Sequence, residues 1–255
     1  MILSRITLAL REQNWLAVAI EFVIVILGVV IGFQISSWNQ VQADRRGETE
    51  LLHRLHNDLL VLAEGRDQLS PAYGGLLERV LIARRALLSE TPSAGLEPEI
   101  CAALAASHDF DQPPDSLPTI EELIATGRMD LIRDDGVREQ ALSTLQLRDF
   151  ARSVRQNLFE AQVSLMSAHP EHFELSLETR PDGRESVRIE CNLDSMRADP
   201  AFLADIVLNT RGLTDFVSFP LGFVDMHLDR LHAEVDEALG LETGHPHRGE
   251  TEATE

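Results

Sequence analysis

WLAVAIEFVIVILGVVIGFQISSW, residues 15–38, is apolar and long enough to cross a bilayer, and the organisation of the whole chain follows from it. Between Trp15 and Ile35 the strongly polar members are Glu21 and Gln34 alone. At about 1.5 Å per residue this run makes a helix of about 31 Å, the thickness of a hydrocarbon core. The reading is one transmembrane helix with Trp15 and Trp38 as interface anchors, because amphipathic rings settle at both membrane–water boundaries. A cleaved signal peptide has a shorter apolar core and a small-residue cleavage site. Here the nearest such site, Val41-Gln42-Ala43, is a poor match, so the segment reads as a retained anchor.

Two features inside the span concern helix packing. Gly28 and Gly32 are a small-xxx-small pair, which lets two backbones approach in lipid, although glycine is also common in membrane helices generally. Glu21 is expensive there: an ionised carboxylate costs about 2.5 kcal/mol or more on insertion scales. About 9 Å of rise separates it from Trp15, so it either reaches the interface, takes a proton or meets a partner helix.

The chain has 255 residues, a net charge of −20 and a pI near 4.8. Such an acidic surface repels phosphate backbones, so nucleic acid is excluded as a partner. All 22 basic residues are Arg, which excludes Schiff-base and Walker-type lysine chemistry. The expected partners are the lipid bilayer and either a second copy or another membrane protein. Arg5 and Arg11 before the span balance Arg45 and Arg46 after it. The short head and the two cysteines then favour an N-terminus inside and a domain outside the cytoplasmic membrane. Cys101 and Cys191 either pair in that oxidising compartment or remain as two buried thiols.

Beyond the anchor, Leu52, Leu55, Leu59, Leu62, Arg66 and Leu69 recur at alternating spacings of three and four, and the same phase runs on through Tyr73, Leu76, Val80, Ala83 and Leu87. This predicts a stalk helix to about Leu88, packed on partner helices in the manner of a coiled coil. Pro71 and Gly74-Gly75 oppose continuity, so a hairpin at 70–75 stands beside a kinked helix. Thr119-Ile-Glu-Glu122 reads as a capping box, and Gly127 as the end of that helix. Another helix is expected from Asp134 or Asp135 to about Ala168, widened by Leu142, Leu147 and Phe150. Phe173–Glu178 and Ser186–Cys191 alternate as a small β-hairpin. Asp199-Pro200 opens the last helix, which kinks or breaks at Pro220 and ends at Gly240.

The expected fold is therefore mainly α: a short cytoplasmic head at 1–14, the transmembrane helix at 15–38, a stalk at 39–90, a helical bundle with the hairpin at 91–240, and a disordered acidic tail at 241–255. No catalytic signature, cofactor loop or metal motif is present. HExxH, GxSxG and phosphate-binding glycine loops are all missing. The histidine pairs His53/His56, His169/His172, His227/His232 and His245/His247 read as solvated surface, since metal sites need three or four converging ligands.

Residues 21–39, EFVIVILGVVIGFQISSWN, resemble the anchor of a bacterial family of single-pass membrane proteins without an established activity. In that pattern an acid opens the span, small residues sit mid-helix and Gln precedes Trp-Asn, here Glu21, Gly28, Gly32, Gln34, Trp38 and Asn39. Residues 119–133, TIEELIATGRMDLIR, resemble the family's second block. Gly32-Phe33 departs from the Ala often found there. The resemblance implies a membrane-anchored helical domain and transfers no active-site residue; with the orientation read above, that domain is expected on the periplasmic side of a bacterial cytoplasmic membrane. The function expected is a non-enzymatic interaction or scaffold module, or alternatively a ligand-sensing domain that signals through a partner membrane protein.

Overall fold

The computed structural model describes residues 15–89, 95–179 and 182–241. The head at 1–14, residues 90–94, residues 180–181 of the turn and the tail from 242 lie outside the described residues. The chain divides into two compact units, 1–50 and 51–255. Helix α1, Trp15–Leu88, begins in the first and contributes its later half to the second.

In the first unit, every residue from Ile20 to Val41 is exposed, and this apolar run is the chain's candidate membrane span. Exposure is what lipid as solvent requires, since chains facing hydrocarbon need no protein cover. Gln40 donates to Asp44 and the Thr49 hydroxyl to the Arg45 carbonyl, one turn apart in each case.

The second unit begins at Leu51, so residues 51–88, expected as stalk, are the central helix of the bundle. Leu52, Leu55, Leu59 and Leu62 are buried against Leu117, Ile120, Val137, Ala141, Leu231 and Val235. Tyr73, Val80, Ala83 and Leu87 are buried in a second cluster with Phe110, Phe202, Phe216 and Leu221. The heptad seam is thus covered by this chain's own helices. A 3-4 apolar spacing specifies a buried stripe and leaves open whose side chains cover it.

Helix α1 passes through Pro71 without a break. Proline and two glycines cost about 5 kcal/mol of helix propensity. Each fully buried side chain beyond them returns about 1.5–3 kcal/mol only if the helix stays in phase, and Tyr73, Val80 and Leu87 together outweigh the cost. The hairpin alternative is excluded.

The remaining elements are α2 (Pro98–Ala105), α3 (Pro118–Ala125), α4 (Asp135–Ala161), α5 (Leu165–Ala168), β1 (Phe173–Thr179), β2 (Glu185–Cys191), α6 (Leu193–Ala198), α7 (Pro200–Phe216), a π-helical segment (Val217–Phe223) and α8 (Val224–Leu239). Helix α4 packs along α8, and β2 along α2. The fold is mainly α with one antiparallel hairpin, in which Phe173 faces Cys191 and Leu177 faces Val187.

Three local expectations meet a different outcome, the first being the Thr119–Glu122 capping box, which does not form: Leu117 is the N-cap and Pro118 starts the helix two residues earlier than a Thr119 cap would, the Thr119 N–H donates to Asp58 at 2.9 Å, and Glu122 accepts from Arg54. Helix α4 ends at Ala161 rather than near Ala168. There the buried Asn209 side chain accepts from Val163 N–H at 3.0 Å and donates to Val163 C=O at 2.7 Å, replacing the helical bonds. Leu142 and Phe150, expected to widen the buried face of that helix, are exposed.

Candidate functional site

On the candidate membrane span, a 100° turn per residue puts Glu21, Gly28 and Gly32 on one stripe, with Gln34 on the opposite side. A methyl group added at Gly28 or Gly32 would meet nothing within 4 Å. The pair is therefore open to a neighbouring helix. Glu21, Gln34 and Trp38 are likewise exposed, and Trp15 lies in the first turn of α1.

Within the bundle, the most deeply buried charge is Arg66, the polar member of the heptad seam. Its Nε donates to Asp225 Oδ1 at 2.5 Å, one Nη to the Pro114 carbonyl and the other to the carbonyls of Pro220 and Leu221. Ser70 completes the carboxylate at Oδ2. Pro220 and Leu221 lie in the π-helical turn, and the planar fork of the guanidinium serves both of their carbonyls at once. Arg66 stands between the two apolar clusters of α1, with Leu62 in one and Tyr73 in the other.

The hairpin is held at its base. Cys101 on α2 and Cys191 at the end of β2 form a disulfide with Cα atoms 5.7 Å apart. From that base outward the apolar face emerges from the core: Ile189 is half-buried, whereas Leu175, Val187 and Leu177 are 58, 60 and 74 % exposed.

Beside the hairpin base lies a histidine–carboxylate cluster. His169 and His172 flank a 3₁₀ turn (Pro170–His172) and are buried, not solvated as their sequence context suggested. Both rings meet Phe202 edge-on, at 5.4 and 5.0 Å. His169 Nε2 is 2.8 Å from Asp205 and His172 Nδ1 is 2.8 Å from Ser195 Oγ. The remaining nitrogens converge on one atom, Asp199 Oδ2, at 3.5 Å for His169 Nδ1 and 3.0 Å for His172 Nε2. Asp199 is also the N-cap of α7, its Oδ1 accepting from Ala201 N–H. The hydrogen bond with His172, then those from the Ala201 and Phe202 amides, hold its carboxyl below the usual carboxylate range. Glu171, exposed, offers a carboxylate oxygen to the same group.

No family model, curated protein or solved structure matches the chain. Its chemistry must therefore be read from the geometry alone.

A second group joins residues from two separate sequence pairs: His56 Nδ1 is 2.8 Å from Asp236 Oδ1 and 3.2 Å from His232 Nε2. One proton on His56 Nδ1, shared between the other two atoms, satisfies this arrangement. His53 is exposed and stays outside it. Sequence reasoning found the histidines and missed Asp199, Asp205 and Asp225, which arrive from elements 27 to 159 residues away. One signal was available for Arg66: a charge in an otherwise apolar seam demands a buried counter-ion.

Proposed function

We propose that this chain is a membrane-anchored protein of the bacterial envelope whose periplasmic domain binds a partner protein and performs no catalysis. The observation that carries the reading is the hairpin face formed by Leu175, Leu177 and Val187, which continues the core outward into solvent. Exposed β-branched and leucyl side chains in cross-strand register are costly to leave wet and are suited to docking. The apolar helix supplies the anchor, and the resemblance of residues 21–39 to a single-pass envelope family supports the same reading. Alkaline-phosphatase fusions after Gly240 test the topology, with an active fusion expected. Photo-cross-linking in intact cells tests the docking: a cross-linker at Thr179 or Glu185, on the same hairpin face, is expected to trap a discrete partner that is lost in L175S/L177S/V187S. An adduct that persists in that variant counts against the hairpin.

A second reading, a ligand-sensing domain, has one feature in its favour. An open groove of about 370 Å³ runs beside the hairpin base, lined by Glu174, Glu190, Cys191, Asn192 and Asp194. Its acidic lining would select a cationic ligand.

A further inference from the structure

We infer that His169, His172, Asp199 and Glu171 form a binding site for a divalent transition cation of the zinc class. A neutral imidazole carries one N–H, and the partner of one nitrogen fixes the role of the other. His169 Nε2 lies 2.8 Å from the Asp205 carboxylate, which only accepts, so the proton is there. Without an ion, His172 donates its Nε2–H to Asp199 Oδ2 at 3.0 Å. Ser195, placed to donate to the Asn192 carbonyl at 2.9 Å, can accept from His172 Nδ1 at 2.8 Å, so the other tautomer frees Nε2 for a cation. The His169 Nδ1 lone pair faces the same Asp199 oxygen at 3.5 Å, and three ligand atoms thus converge, two of them on buried rings.

The distances suit that cation. Ligands at about 2.0–2.1 Å from a tetrahedral zinc lie about 3.3 Å from one another. The two nitrogen–oxygen separations, 3.0 and 3.5 Å, bracket this value. Glu171 brings a fourth ligand atom within 4.8 Å of the others, from the solvent side through which an ion enters. The outer contacts are those that metal-ligating histidines use: a carboxylate on the far nitrogen of one ring and a hydroxyl on the far nitrogen of the other. Asp199 is held in place by the Ala201 amide before any ion arrives. Two imidazoles in the set favour zinc, cobalt or iron over magnesium or calcium, which prefer all-oxygen cages. The cation would tie the turn before β1 to the start of α7.

Co²⁺ is the probe, added to full-length protein in detergent after chelator treatment and dialysis. One equivalent is expected to give the intense visible bands of four-coordinate Co²⁺ with imidazole ligands, and one equivalent of Zn²⁺ to remove them. E171Q, on an exposed side chain, is expected to fold as the parent does and to weaken Co²⁺ binding about tenfold or more. H169Q/H172Q should lose the bands, whereas H56Q/H232Q should keep them. No stoichiometric bands up to millimolar Co²⁺, bands that survive H169Q/H172Q, or an unchanged affinity in E171Q would each overturn the assignment.

Discussion

Arg66 and Asp225 meet inside the bundle across 159 residues of sequence, and the same guanidinium serves two carbonyls, Pro220 and Leu221, of the π-helical turn that leads into the helix carrying Asp225. A buried ion pair adds little net stability relative to an apolar pair, but breaking one partner leaves an uncompensated charge. Arg66→Met alone is expected to lower the unfolding free energy by about 3–5 kcal/mol. The carbonyls of Pro114, Pro220 and Leu221 lose their donor in the same change. R66M/D225L should recover part of the loss. Denaturant unfolding followed by circular dichroism reads both, and a single variant as stable as the parent would refute the hub.

Tyr73 is the chain's one tyrosine, so phenolate absorbance reports it alone. Burial, chiefly, pushes its hydroxyl up from the ordinary value, with the neighbouring Asp111 and Asp109 charges adding to it, while its hydrogen bond from the Asp111 amide acts the other way. The sign follows from linkage: the unfolded chain ionises first, so the contribution is intact below about pH 10 and is lost as pH rises toward the folded value. Spectrophotometric titration should show delayed ionisation of the native protein. An ordinary midpoint would contradict the burial.

Reduction of Cys101–Cys191 opens a link between residues 90 apart in sequence. On the chain-entropy model a loop of that size contributes about 4–5 kcal/mol. Non-reducing peptide mapping should recover the pair, and dithiothreitol should lower the denaturation midpoint. Two free thiols in the native protein, or no shift on reduction, would dispose of this expectation.

Gly28 and Gly32 leave open space on the face that also carries Glu21. Leucine at both positions would fill it without touching the rest of the chain, so self-association in a membrane reporter assay should weaken while membrane insertion persists. Unchanged association would place the contact elsewhere on the helix.

The long-range architecture was legible where spacing alone decides it. The seam from Leu52 to Leu87 is buried as its 3-4 rhythm implied, and the Phe173–Cys191 alternation forms the hairpin. What spacing cannot say is which surface covers a stripe, and the expected partner helices turned out to be α3, α4 and α8 of the same chain. Capping chemistry was legible when local and illegible when distant. Asp199 and Gly240 act where sequence placed them, while Asp58 and Asn209 replaced local bonds from 61 and 46 residues away. The histidine cluster was hidden for the same reason, since an i, i+3 pair is common on wet helices and Asp199 and Asp205 arrive from another element.

Because the central helix leaves the ribosome long before its covers, synthesis itself becomes hazardous. Leu55 and Leu59 must wait for Leu231 and Val235, and Arg66 for Asp225, until nearly the whole domain has been made. During that interval a naked leucine ridge invites mispairing and proteolysis, as non-local contacts generally do. A nascent chain stalled before the π-helical turn should be bound by holdase chaperones or degraded, whereas one completed through Leu239 should escape both.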